Sequence, residues 1–141
     1  MPERSKRLAD ESATERAKTC DNALSTFAAV NCLGKEDDAT EINYKALSNS
    51  IRTMLDLVAG EDESPSFGPT GQPLTAAQQV ADFDSLETEW QKYRLKAAQT
   101  GYDQFKGGTE APAFRVLTDL AMLRSHMLEL AFIYDFLLGN H

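Results

Sequence analysis

Histidine and cysteine are the side chains best suited to chemistry near neutral pH, and this chain has two of each: His126 and His141, Cys20 and Cys32. His126 stands three residues before Glu129, a spacing that puts both on one face of a helix. A di-metal site in a helical bundle needs paired Glu-x-x-His units, and neither histidine follows a glutamate by three. The expected role of His126 is therefore a partly buried imidazole bonded to a neighbouring side chain or backbone group. A phosphotransfer role would need the ring exposed beside a cation, whereas Met127, Leu128 and Glu129 follow it. No metal site and no cofactor site is read from these residues.

The cysteines form no Cys-x-x-Cys unit. Both fall within what reads as one helix, where twelve residues span about 18 Å. A disulfide needs Cα atoms within roughly 7 Å, so reduced thiols are expected, with Cys20 acting as a small apolar residue. The glycines between residues 60 and 74 lack a following Gly-Lys-Ser/Thr and make no nucleotide-binding loop. Gly107-Gly108-Thr109 before a helix offers backbone amides to an anion, as many helix starts do. Asp119 is near His126 in sequence, but a helix sets them at different heights and angles. No nucleophile, base and orienting group assemble, so no catalytic residue is assigned and the chain is expected not to be an enzyme.

The elements that carry these residues follow from hydrophobic spacing. From about 5 to 33, Ala13, Ala17, Cys20, Leu24 and Phe27 recur at four and three, a narrow helical seam with very polar first turns. Gly34 is the expected stop, followed by the acidic loop Lys35-Glu36-Asp37-Asp38. Asp38 and Glu41 then suggest a cap for a second helix over 39–59, with Tyr44, Leu47, Ile51, Met54 and Val58 as its seam and Leu55 widening it.

Residues 60–74, GEDESPSFGPTGQPL, are rich in turn formers and read as a long loop, with Phe67 as the residue able to order it. Thr75 and Gln78 form a capping box for a third helix over 76–100, continuing raggedly towards Phe105. Its seam is Val80, Phe83, Leu86, Trp90, Tyr93 and Ala97. Acidic residues lie in its first half and Lys92, Arg94 and Lys96 in its second, as the helix dipole favours.

Thr109 and Pro112 suit the start of a fourth helix over 111–138. Val116, Leu120, Leu123, Met127, Leu130, Tyr134 and Leu137 form its seam. Leu128, Phe132, Ile133 and Phe136 widen it until the helix is apolar nearly all round, and such a segment needs neighbours on several sides. Four helices and no alternating strand pattern predict an all-α four-helix bundle, up-down-up-down, with a long loop between helices 2 and 3 and a single domain over 1–141.

Composition limits what such a bundle does. Hydrophobic residues at 42% and charged residues at 26% suit a globular chain. A net charge of -8 disfavours direct binding to nucleic acid and would steer a basic partner. Arg124, His126, Glu129 and Asp135 interrupt the last helix, so no membrane span is expected. The N-terminal MPERSKRLADES has no apolar stretch behind its charges, which makes the cytoplasm the expected location.

The expected function is a non-enzymatic acidic interaction module, an adaptor, inhibitor or complex subunit that binds another protein. Phe132, Ile133 and Phe136 are the expected apolar contacts, with homodimer formation through helix 4 as a variant. A different reading makes Asp82, Asp84, Glu87 and Glu89 a nucleic-acid mimic that occupies a basic nuclease, toxin or regulator. A third is a small-ligand sensor bundle with His126, Tyr134 or Trp90 as polar anchors.

Overall fold

A computed structural model describes residues 2–61, 66–67 and 73–139. The chain is an all-α bundle. Helix α1 spans Pro2–Ala17, α2 Thr26–Glu61, α3 Ala76–Gln104 and α4 Ala111–Ile133, and a short α5, Asp135–Leu138, closes the chain's apolar end. A 3-10 turn, Thr19–Asn22, joins α1 to α2. Within the long connection, Ser66–Phe67 (β1) and Pro73–Leu74 (β2) pair antiparallel, Ser66 opposite Leu74. The side chains of Val58 and Phe67, expected on the seam and over the bundle, lie outside the described residues.

Cross-helix bonds fix the directions. Arg7 and Glu11 reach Asn43 and Thr40, Arg52 and Tyr44 reach Asp84 and Glu87, and Arg94 and Glu87 reach Asp119 and His126. In each pair of consecutive helices the numbers rise on one as they fall on the next, so the path is up-down-up-down. The centre is Tyr44, Leu47, Ile51 and Leu55 of α2, Phe83 and Trp90 of α3, Leu123, Met127 and Leu130 of α4, and Leu138 of α5. The expected seams of helices 2 and 4 supply most of it, because the 3.6-residue period keeps those positions on one stripe.

Two expectations about the N-terminal half need correction. The chain reverses at residues 18–25, not at Gly34: Lys18 takes a left-handed φ of 48° and α2 runs unbroken through Gly34 and the acidic stretch. A methyl added at Gly34 would meet nothing within 4 Å, so this glycine is an ordinary helical residue. The helical cost of about 1 kcal/mol for glycine is offset by tertiary anchors on the same stretch, where Arg124 binds Glu36 and Arg94 binds Glu41. The predicted seam of the first helix fails with its boundary. Ala13 and Ala17 are exposed, as are Leu24 at 99% and Phe27 at 77%.

The second correction concerns the cysteines. Because the reversal falls between them, Cys20 and Cys32 are on opposite sides of it, their Cα atoms are 5.6 Å apart, and they form a disulfide. A separation of about 18 Å holds only along one continuous helix, and the chain turns between the two residues.

Helix α3 begins as expected, with the Thr75 side chain accepting from the Gln78 amide at 3.1 Å. Its buried stripe is Phe83, Trp90, Arg94, Ala98 and Gly101, so Arg94 takes the inward place expected of Tyr93, which is 63% exposed. Helix α4 starts after Glu110, which gives no side-chain cap; Thr109 is not the cap. The last expected helix is interrupted at Tyr134, whose φ and ψ of -104° and 24° leave the helical region. That kink turns Leu138 into the core. No described helix is long and apolar enough to cross a membrane.

Candidate functional site

The structure places the expected contact residues in three different situations. Phe132, Ile133 and Phe136 face outward, with Phe132 84% and Phe136 83% exposed. Leu128, one turn before Phe132, is 61% exposed and extends the same strip. Leu128, Ala131, Phe132 and Asp135 line an open groove of about 510 Å³ whose far wall is Leu8 of α1. The kink at Tyr134 sends Leu138 inward while Phe132 and Phe136 stay outside. This is an apolar surface on an otherwise acidic chain.

The acidic residues of α3 do not present one face. Asp84 accepts two bonds at 3.0 Å from the guanidinium of Arg52, which also reaches Asp56. Glu89 takes Lys92 at 3.3 Å, and Asp82 is exposed. Glu87, expected on the surface, turns inward instead, its side chain only 14% exposed. It is drawn in by donors: one oxygen takes Tyr44 Oη and the other meets His126 Nε2 at 2.7 Å.

His126 is thus held by two carboxylates, Glu87 and, at 3.1 Å through Nδ1, Glu129. The expected bond to a neighbour is present, and a second partner from α3 joins it. The ring is 2% exposed, stacked on Trp90 at 4.0 Å and flanked by Tyr44 at 5.8 Å. Burial, followed by the Glu87 hydrogen bond, raises the Tyr44 phenol well above its ordinary range, so it stays a donor. Chemically, this is a polar layer in which Tyr44 and both ring nitrogens of His126 meet carboxylates, flanked by the Trp90 and Tyr44 rings. Tyr134 packs edge-on against Phe83 at 5.5 Å, so each proposed ligand anchor already has an aromatic neighbour.

Two further polar layers were not legible in the sequence. In one, Arg94 makes a two-pronged bond to Asp119, at 2.6 and 2.8 Å, and binds Glu41. Its guanidinium lies 5.5 Å from the Trp90 ring centre, joining this layer to the first. Asp37 sits against the same group and its Oδ1 is buried with no hydrogen-bond partner. Burial, then the proximity of Asp119, raises the Asp37 carboxyl to about 8. Asp119 is held below the usual range: burial pushes it up, but bonds from Arg94 and Asp37 outweigh that. Near neutral pH the pair shares one proton, held on Asp37 and donated to Asp119. An open pocket of about 440 Å³ lies over this layer, with Arg115 and Gln91 on its wall.

In the other layer Arg124 bridges Glu11 of α1 at 3.1 Å and Glu36 of α2 at 2.6 Å. Glu11 also accepts from Thr40 at 2.7 Å and from Asn43 at 3.0 Å. The signal in the sequence was a pair of charged residues one step off the apolar seams, Arg94 after Tyr93 and Arg124 after Leu123. Their partners lie 25 to 113 residues away, which spacing within one helix cannot reveal.

No group of three or more metal-ligating side chains is found among the described residues. The fold and surface together define a class: an acidic up-down-up-down helical bundle with ionic layers in its interior and an apolar strip on its last long helix. No family model, curated protein or solved structure matches the chain.

Proposed function

We propose that this protein is a non-enzymatic interaction module that docks an amphipathic helix of another protein on the strip Leu128, Phe132, Ile133 and Phe136. The observation that carries the reading is Phe132, 84% exposed at the edge of the groove shared with Leu8. Exposed aromatic side chains beside a groove are the usual anchors of helix-in-groove recognition. A partner with basic residues around its apolar face fits better than a second copy, because two chains of net charge -8 repel one another.

The nucleic-acid-mimic reading has less to stand on, since Asp84 and Glu89 are paired with cations and Glu87 is internal. The sensor reading would need space at His126 and Trp90, which are stacked on each other. The disulfide favours a working place outside the reducing cytosol, in contrast to the location expected from the N-terminal sequence.

The test is Leu128→Asp with Phe132→Asp. Both sites are exposed, so stability should change by less than about 0.5 kcal/mol each. Binding to a partner captured by the native chain should fall at least tenfold, and unchanged binding sinks the reading. Light scattering at several concentrations separates a partner site from self-association, for which a concentration-dependent dimer would be seen.

A further inference from the structure

We propose that α1 is a strap over α4 whose docking is set by the redox state of the Cys20–Cys32 bond. Leu8 is the single large apolar side chain in α1, so this helix has little hydrophobic anchorage. It is held mainly by polar contacts: Glu11 with Arg124, Thr40 and Asn43, and the Arg7 carbonyl with the Asn43 side chain at 2.9 Å. The turn that returns it to the bundle has no buried residue between 18 and 25. The disulfide is the covalent constraint on that turn, tying it to the second turn of α2. By closing the link it keeps α1 near its docking site, and the polar contacts then need little intrinsic strength.

What lies beneath the strap gives the device a consequence. Leu8, Glu11, Ser12 and Glu15 face Arg124, Met127 and Leu128 across one cleft, and Leu8 is also the wall of the groove that ends at Phe132. Release of α1 opens this cleft and uncovers the edge of Met127, now 1% exposed, which stands beside Leu128 and widens the apolar strip. Both cysteines are half-buried, within reach of a small reductant. A dithiol does the reduction: its thiolate attacks one sulfur, the Cys20–Cys32 bond breaks through a mixed disulfide, and the second thiol resolves it. The products are two protein thiols, with two protons taken up on sulfur, and the cyclic disulfide of the reductant.

That the wider strip binds more partner rests on the docking function proposed above; the strap itself does not. The experiment therefore needs no partner. Amide exchange and hydroxyl-radical footprinting are measured on the full chain in its oxidised form, after reduction by dithiothreitol, and on the double variant Cys20→Ser with Cys32→Ser. The strap predicts exchange in residues 2–17 at least tenfold faster in the reduced protein and the variant. Oxidation of Met127 should rise several-fold, while amides from 120 to 130 keep their protection. Equal protection of residues 2–17 in all three forms overturns the proposal. So does loss of protection in every helix, since the bond would then hold the whole fold. Release of α1 with no effect on later partner binding would remove the docking reading and leave the strap standing.

Discussion

The imidazole of His126 lies parallel to the indole of Trp90, with ring centres 4.0 Å apart and planes 8° from parallel. The stack joins α3 to α4 at the middle of the bundle, and Glu87 completes it by accepting from Tyr44 and meeting His126 at 2.7 Å. Leucine at 126 would fill similar space but leave an inward-facing carboxylate with one partner fewer. His126→Leu is expected to cost about 2 to 4 kcal/mol, the range for stranding a buried polar group. Urea denaturation checks this, with Trp90, the only tryptophan, as the reporter. Loss of the stack should also change its native emission.

Arg94 is the hub of the second layer, and its two-pronged bond to Asp119 depends on a planar guanidinium. Arg94→Met leaves Glu41 and Asp119 facing each other without a cation. A loss of about 3 kcal/mol is expected. Arg94→Lys should recover less than half of it, because a point charge cannot make both bonds. Thermal and urea midpoints for the two variants measure the difference.

The proton on Asp37 gives a pH dependence with a definite sign. The folded-state value is raised from 3.8 to about 8, so between these limits the native chain holds a proton that the unfolded chain has released. Stability from this group is therefore greatest near pH 4 and declines as pH rises towards 8. Asp119, shifted the other way, loses its contribution only at pH values below the ordinary carboxylate range. Asp37→Asn keeps a donor to Asp119 and removes the titration. The variant should gain stability relative to the native chain steadily from pH 4 to 8; a constant difference across that range would rule out the shared proton.

Gly101 of α3 packs directly against Thr118 of α4. A methyl there would overlap Thr118 Oγ1 and lie 3.1 Å from its Cβ. The clash outweighs the helical preference for alanine, and Gly101→Ala should destabilise by about 1 to 2 kcal/mol. Adding Thr118→Ala removes the nearer atom and should restore part of the loss, a non-additivity that a double-mutant cycle detects.

The legible parts of this fold are those where the pattern is local. Tyr44, Leu47, Ile51 and Leu55, and Leu120 through Leu130 at three and four, lie on the stripe their spacing predicts. The Thr75 cap is likewise where a short motif says it is. Gly34 misled because a glycine followed by four charged residues resembles a stop. The helix continues there because Arg94 and Arg124, about sixty and ninety residues further on, take up the carboxylates.

By itself, then, the sequence determined an all-α bundle, its long connection and the apolar surplus of the last helix, since helical periodicity and turn chemistry act between near neighbours. Tertiary structure alone decided that the chain turns at Lys18, that Cys20 meets Cys32, and that Glu87 serves His126 rather than the surface. It also decided which of the last helix's apolar residues stay outside, through the kink at Tyr134. Those outcomes depend on burying charges beside specific partners far along the chain, and the cost of a buried charge is set by what lies across the interface.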